Sequence, residues 1–211
     1  MNIPNGVKTD TIENTEFEAG LILKNKFTSS ASFNKDNDVL CATTGGIKVT
    51  IAQQKQVIKF DGVLDNTKGI ERVIGWTASV TFDTKEVDSD KVKLALGYAG
   101  IDSNLETGID TITLEQGVIP ESYYKNFYIL GKLGDGSWRQ IIINNAMNVS
   151  GLSEQRNDKN ETVISFELHA NYGIDSQDTP PVSIEYITEA EPTPEPTPTP
   201  EPETQGGGAQ A

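Results

Sequence analysis

Alternation of apolar and polar residues is the dominant pattern along this chain. Three segments show it most clearly, residues 47–52, 76–83 and 164–172. Successive side chains of a β-strand point to opposite faces of a sheet, so this period of two predicts half-buried strands. The apolar members of these segments are predicted to form the core: Ile47, Val49, Ile51, Trp76, Val80, Phe82, Ile164, Phe166 and Leu168.

Shorter runs with the same pattern predict further strands. They lie at residues 19–24, Ile109–Leu114 and Val182–Ile187. Residues 127–133 and 138–143 flank the sequence Gly134-Asp135-Gly136, which favours a tight turn and therefore a β-hairpin. Together these segments predict an all-β body of about eight to ten strands.

One segment has the spacing of a short helix. Asp88 can cap its start, Val92, Ala95 and Leu96 share one face, and Gly97 can end it. A helix of two to three turns is not stable alone in water, so it is expected to pack on the sheet.

Residues 24–44 break the alternation, because most of them are polar. A connection of this length is uncommon in a compact domain unless it has a role outside that domain. Two interpretations remain open: a flexible surface loop, or an arm that orders against a partner chain. In the second interpretation the contact residues are Lys26, Phe27, Phe33, Lys35, Asp36 and Asp38.

The last two dozen residues differ in composition from the rest. Residues 188–211 carry five glutamates and no Lys or Arg, and proline occupies every second position from Pro192 to Pro202. Such a sequence predicts an extended, disordered polyproline spacer that contributes nothing to the core of the domain. We therefore divide the chain into a β-domain, residues 1–187, and a tail, residues 188–211.

The charge balance limits the classes of partner. The net charge is −14 at pH 7. The negative electrostatic field of such a protein repels phosphate, which argues against tight nucleic-acid binding through a basic patch. The single cysteine, Cys41, cannot form an internal disulfide, and no basic and apolar leader opens the chain. No apolar run has the length that spans a membrane. These features favour synthesis in a reducing cytoplasm.

The sequence offers no recognisable active site. His169 is the single histidine, and its position on the 164–172 strand places it opposite the apolar face. Cys41 lies in a polar segment without a histidine partner. The stretch from Asn34 begins like a calcium loop, but Val39 stands where that loop needs glycine. We expect no catalytic residue, no cofactor and no metal, and hence a protein that is not an enzyme.

Four motifs follow one another along the chain: "EAGLILKNKF" (18–27), "ATTGGIKVTIAQQKQVIKFDGV" (42–63), "NTKGIERVIGWTASVTFDTKEV" (66–87) and a helix ending in "LALG" (94–97). This ordered set resembles the major tail protein, or tail tube protein, of long-tailed non-contractile bacteriophages. The resemblance covers about 170 residues and weakens after residue 109.

The resemblance implies a tail-tube-type β-sandwich or barrel with one flanking helix and a long N-terminal loop. It also implies homohexameric rings that stack into a virion tail tube after synthesis in the host cytoplasm. Its partners would be the protein itself, the tape measure protein, and the tail terminator and distal tail proteins. Viral DNA would pass through the lumen without specific binding during ejection. Residues 24–44 would then bridge successive rings, and the polar residues 53–56 would face a neighbour or the lumen.

Two alternative functions remain at this stage. The first is the inner tube protein of a contractile injection machine, which shares the fold class. The second is an adhesive or carbohydrate-binding β-sandwich held on a Pro-Thr stalk, and a binding module of that kind would stay monomeric.

Overall fold

The computed structural model describes residues 7–188, except residues 9, 17–19, 65–66, 105, 157 and 159–160. Ala19, which begins the first predicted strand, and residues 189–211 of the tail therefore lie outside the described part. None of the helices within the described part is long and apolar enough to cross a membrane.

The described residues form ten β-strands, two α-helices and one 3-10 turn, in the all-β class that the alternation predicts. In chain order these elements are β1 (Leu21–Leu23), α1 (Lys35–Asp38), β2 (Thr43–Val57), β3 (Glu71–Thr84), α2 (Ser89–Leu96), β4 (Ala99–Asn104), β5 (Ile109–Leu114), the 3-10 turn (Glu121–Tyr123), β6 (Lys125–Lys132), β7 (Trp138–Asn148), β8 (Ser153–Gln155), β9 (Val163–His169) and β10 (Val182–Ile187).

The antiparallel strands have a sandwich-like arrangement in which β7 belongs to both layers. Strand β7 pairs with β6 and β10 in one layer, and its last two residues pair with β9 in the other. The second layer continues from β9 to β3 and then to β2, and β8 pairs with β9. Strands β4 and β5 form a separate two-stranded sheet. The predicted hairpin around Gly134-Asp135-Gly136 is confirmed as β6–β7.

The core lies between the layers and contains the predicted apolar faces of β3 and β9. Val80, Phe82, Ile164, Phe166 and Leu168 are buried, and the rings of Phe82 and Phe166 stack with centroids 4.9 Å apart. Side chains from β2 cover this cluster partly: Ile47, Val49 and Ile51 are half-buried against it. The strand period therefore predicted the inward face of each of these strands correctly.

Trp76 differs from its prediction as a core residue. It is half-buried and lies outside the main cluster, which begins at Ala78 on this strand. The alternation of β3 is continuous through Trp76, but no side chain of the main cluster covers it. Nothing in the local pattern records how far the covering layer extends.

Helix α2 forms where it was predicted, and its ends are those that the sequence indicated. The Asp88 side chain accepts a hydrogen bond from the Lys91 N–H, and Gly97 ends the helix at a positive φ of 76°. Ala95 is fully buried, and Val92 and Leu94 pack against the main core. Leu96, which was predicted for the inward face, is only half-buried.

Candidate functional site

The β2–β3 hairpin extends beyond the strand that pairs with it, because β9 pairs with β3 only from Ser79 to Thr84. Its strands pair from Thr43 opposite Thr84 to Val57 opposite Glu71. The half near the body covers the core, whereas residues 53–56 and 71–74 are exposed on both faces of the two-stranded ribbon. The hairpin therefore projects beyond the sandwich, which is a feature that strand alternation alone does not predict.

Large apolar side chains are exposed to solvent at the end of this hairpin. Phe60 is 59% exposed, Leu64 is 83% exposed, and Ile58 and Val63 are also exposed. On β3, Val73 and Ile74 continue the same surface, with Ile74 57% exposed. We call these six residues the hairpin tip patch: Ile58, Phe60, Val63, Leu64, Val73 and Ile74. The sequence signal for this patch was the short apolar run before the Asp61-Gly62 turn.

A bulge lies where the hairpin leaves the body. Gln54 is opposite Gly75 and Lys55 is opposite Val73, so Ile74 is an extra residue without an opposite partner. Gly75 leaves room here for two side chains, because a Cβ atom at this position would lie 3.0 Å from the Gln54 Oε1 and 3.2 Å from the Tyr172 hydroxyl, so a larger residue would require them to shift. The bulge therefore fixes the position at which Ile74 turns outward.

The outer edge of β2 is open within the described part of the chain. Strand β2 ends the order of the sheet and pairs with β3 alone. Its 15 residues make an unusually long edge, and a row of unpaired backbone N–H and C=O groups can accept another strand. Lys48 is exposed along this strand, and Lys55 forms an ion pair of 3.1 Å with Glu71 across the hairpin.

Residues 24–44 fold back on the body instead of forming an isolated loop. Phe27 is buried, and its ring lies 5.1 Å from Trp138 and 5.9 Å from Phe33. The Phe27 N–H donates to the Oε1 of the fully buried Gln140 at 2.8 Å. Together with Leu23 and Leu130 these contacts make a second, smaller cluster. The apolar residues of this segment are therefore packed on the body of the same chain, unlike those of a flexible surface loop.

The charged residues of the same segment divide into two groups. Lys26 forms an ion pair of 2.7 Å with Glu185 on β10, and Asp38 accepts hydrogen bonds from Asn25 and from the Asn34 N–H. These hydrogen bonds lower the pKa of the Asp38 carboxyl. Lys35 and Asp36, on the exposed helix α1, form no ion pair within the described residues.

The candidates for chemistry are separated in the structure. Cys41 is buried, and burial raises the pKa of its thiol to about 11. His169 lies on β9 with its Nε2 3.0 Å from Glu167, on the face opposite the core. Asn34, at the start of the calcium-like stretch, caps helix α1. Among the described residues there is no group of three or more His, Cys, Asp or Glu side chains that could hold a metal.

No protein-family model and no curated protein matches this chain in sequence. Among solved structures, the fold is similar to a chain of a structure titled "Virion of native gene transfer agent (GTA) particle". The similarity has a TM-score of 0.39 and 9% sequence identity, and it covers 81% of this chain and 96% of that chain.

Proposed function

We propose that the protein is a structural virion protein that self-assembles into stacked homohexameric rings, which form the tube of a phage tail. The observation that carries this proposal is the exposed half of the β2–β3 hairpin with its apolar tip patch. An isolated two-stranded ribbon is marginally stable in water, and clustered apolar side chains on a surface mark contacts with other proteins. A neighbouring subunit would supply the missing cover.

The open edge of β2 supports the same proposal. A long unpaired edge in a natural protein is a hazard unless a partner covers it. Addition of a neighbour's strand satisfies the backbone groups of the edge, and repetition of this contact around a ring leaves no free edge. The second layer would thereby become part of a continuous wall. Such heterologous contacts between identical subunits produce closed rings when the rotation closes.

The charge of the chain is compatible with a lumen through which DNA moves. A basic lumen would bind phosphates and release counterions, which would hold the DNA in place, whereas an acidic surface leaves it free to slide. The net charge of −14 is of the required sign. The proposed role is mechanical, without catalysis or a cofactor. It includes contacts with a tape measure protein and with the tail terminator and distal tail proteins, in a virion tail assembled in the host cytoplasm.

Contacts between rings are assigned to Lys35 and Asp36 of the 24–44 segment. Both side chains are exposed on helix α1, and they have no ion pair among the described residues. The other four predicted contact residues of this segment are occupied within the chain. Lys26 and Asp38 have partners, Phe27 is buried, and Phe33 packs against Phe27.

The experiment that tests this proposal is electron microscopy of the purified chain over a range of concentrations, combined with sedimentation velocity. Rings with six-fold symmetry, and tubes built from them, are the expected result. A protein that remains monomeric at every concentration and salt condition would overturn the proposal and would favour a binding module.

A further inference from the structure

A cavity of about 730 Å³ opens between helix α2, the start of β6 and the two ends of the 24–44 segment. Its volume is in the range of sites that hold ligands or peptide segments. Leu40, Leu94 and Phe127 contribute apolar surface to it. We call this cavity the lysine groove, because its polar wall contains Lys24, Lys93 and Lys125.

The lysine groove is a positive region on a strongly acidic protein. It contains three lysines and one acidic residue, Asp90, whereas the chain as a whole has a net charge of −14. The ammonium groups of Lys24, Lys93 and Lys125 form no ion pair within the described residues. Lys24 also lies close enough to Asp38 to contribute to the lowered pKa of that carboxyl, after the hydrogen bonds from Asn25 and Asn34. The groove is therefore suited to an acidic occupant.

Aromatic rings give the groove a second chemical property. Tyr123 lines it and is packed edge-on against Tyr98, with ring centroids 4.9 Å apart. The Lys93 Nζ lies 5.8 Å from the centroid of the Tyr123 ring, and the Tyr123 hydroxyl donates to Glu115. Tyr128 also lines the groove. Grooves lined by aromatic rings bind proline-rich segments, because polyproline helices are already extended and lose little entropy on binding.

We propose that the lysine groove binds the acidic, proline-rich tail of the same chain. Residues 189–203 contain five glutamates and six prolines without a single Lys or Arg. The glutamates complement the three lysines, which form no ion pair within the described residues, and the prolines complement the Tyr123 ring. This assignment does not rest on the proposed assembly, because the contact is made within one chain.

The tail has the length that the assignment requires. Strand β10 starts opposite Ile143 and ends opposite Trp138, while Phe127 of the groove pairs with Ile143 from the other side of β7. The tail therefore leaves the sheet about 17 Å from the groove end of β7, counted as five residues of strand. At about 3.1 Å per residue in polyproline geometry, six to eight tail residues cover the distance back to the groove. Glu195, Glu201 and Glu203 lie at or after that point of the tail. The tether keeps the effective concentration of the tail in the millimolar range.

The test is zero-length cross-linking of the full chain with a carbodiimide, which joins a lysine amine to a carboxylate that touches it. An equal mixture of isotopically heavy and light protein is used, and the links are located by mass spectrometry. We expect Lys93 and Lys125 to be joined to Glu195, Glu201 or Glu203 within chains of one isotope. The yield should fall roughly tenfold in 1 M NaCl, where the Debye length is about 3 Å.

Charge variants of the full chain supply the matched control. Lys24→Gln with Lys93→Gln should reduce the links from Lys125 to the tail several-fold. Lys59→Gln with Lys68→Gln should leave those links unchanged, since both lysines lie on the projecting hairpin away from the groove. Tail links to Lys59 and Lys68 as frequent as those to the groove would overturn the proposal. Links mainly between heavy and light chains would overturn the assignment to the same chain.

Discussion

The backbone N–H of Trp76 donates a hydrogen bond to the Tyr172 hydroxyl, with an N···O distance of 2.7 Å. Trp76 lies where β3 passes from the core into the projecting half of the hairpin. Tyr172 follows β9 and belongs to the body, so this bond joins the hairpin to the body across 96 residues of sequence. The direction of the hairpin therefore depends on a side chain that belongs to neither of its strands.

Replacement of Tyr172 by Phe removes the acceptor of this bond. The Trp76 N–H then loses its partner in a half-buried position, which should lower the free energy of unfolding by about 1 kcal/mol. Hydrogen exchange at the Trp76 amide should accelerate, as read by NMR or mass spectrometry. Tyr186→Phe is the control, because the Tyr186 side chain is exposed and its hydroxyl forms no hydrogen bond within the described residues. Equal exchange rates in the two variants would contradict this role of Tyr172.

Phe166→Ala tests the predicted core. Phe166 is fully buried and stacks on Phe82, so its truncation should lower the free energy of unfolding by about 3–5 kcal/mol. Phe60→Ala makes the same chemical change at the exposed hairpin tip and should lower the free energy of unfolding by less than about 0.5 kcal/mol. Urea denaturation followed by circular dichroism measures both. A small loss for Phe166→Ala would mean that the structure assigns the wrong face of β9 to the core.

Phe27→Ala tests whether residues 24–44 belong to the body. Phe27 contacts Trp138 and Phe33 and is buried, so the variant should lose about 3–4 kcal/mol of stability. Lys35→Ala with Asp36→Ala lies on the same segment, changes only exposed side chains, and should leave the denaturation midpoint unchanged. If Phe27→Ala were equally neutral, the segment would be a loose surface loop.

The hairpin tip patch should separate folding from assembly. Leu64→Lys with Ile74→Lys places two charges on the exposed apolar surface, which a partner would have to desolvate. The circular dichroism spectrum and melting temperature should stay unchanged, whereas rings and tubes should be lost in electron micrographs. Val118→Lys is the control, since Val118 is 92% exposed and lies in the connection after β5, outside the hairpin. Tubes that persist in the double variant would mean that the assembly contact lies elsewhere.

Cys41 should make the stability fall at alkaline pH. Burial raises the pKa of its thiol from 9.0 to about 11, so the folded state retains a proton that the unfolded state releases. This stabilisation is complete below pH 9 and is lost between pH 9 and pH 11, by about 2–3 kcal/mol in total. Comparison with Cys41→Ala isolates this effect, because the other titrating groups are the same. Parallel curves of stability against pH for the two proteins would contradict it.

The local pattern of the chain determined which residues of each strand face inward. Side chains alternate strictly along a strand, so Val80, Phe82, Ile164 and Phe166 had to share the faces that the structure buries. The same holds for helix α2, whose ends depend on Asp88 and Gly97 within the segment itself. These features could be predicted because their causes lie within a few residues of one another.

The tertiary structure decided which of those apolar residues are covered. Trp76 and Ile74 continue the apolar pattern of β3 but lie outside the core, since the buried cluster begins at Ala78 on this strand. Phe27 lies in a polar segment and is buried because it contacts Trp138 and Gln140, which are 110 or more residues away in sequence. Burial depends on neighbours that are distant in sequence, and no periodicity records them. The projecting hairpin, the packed 24–44 segment and the lysine groove all have this origin.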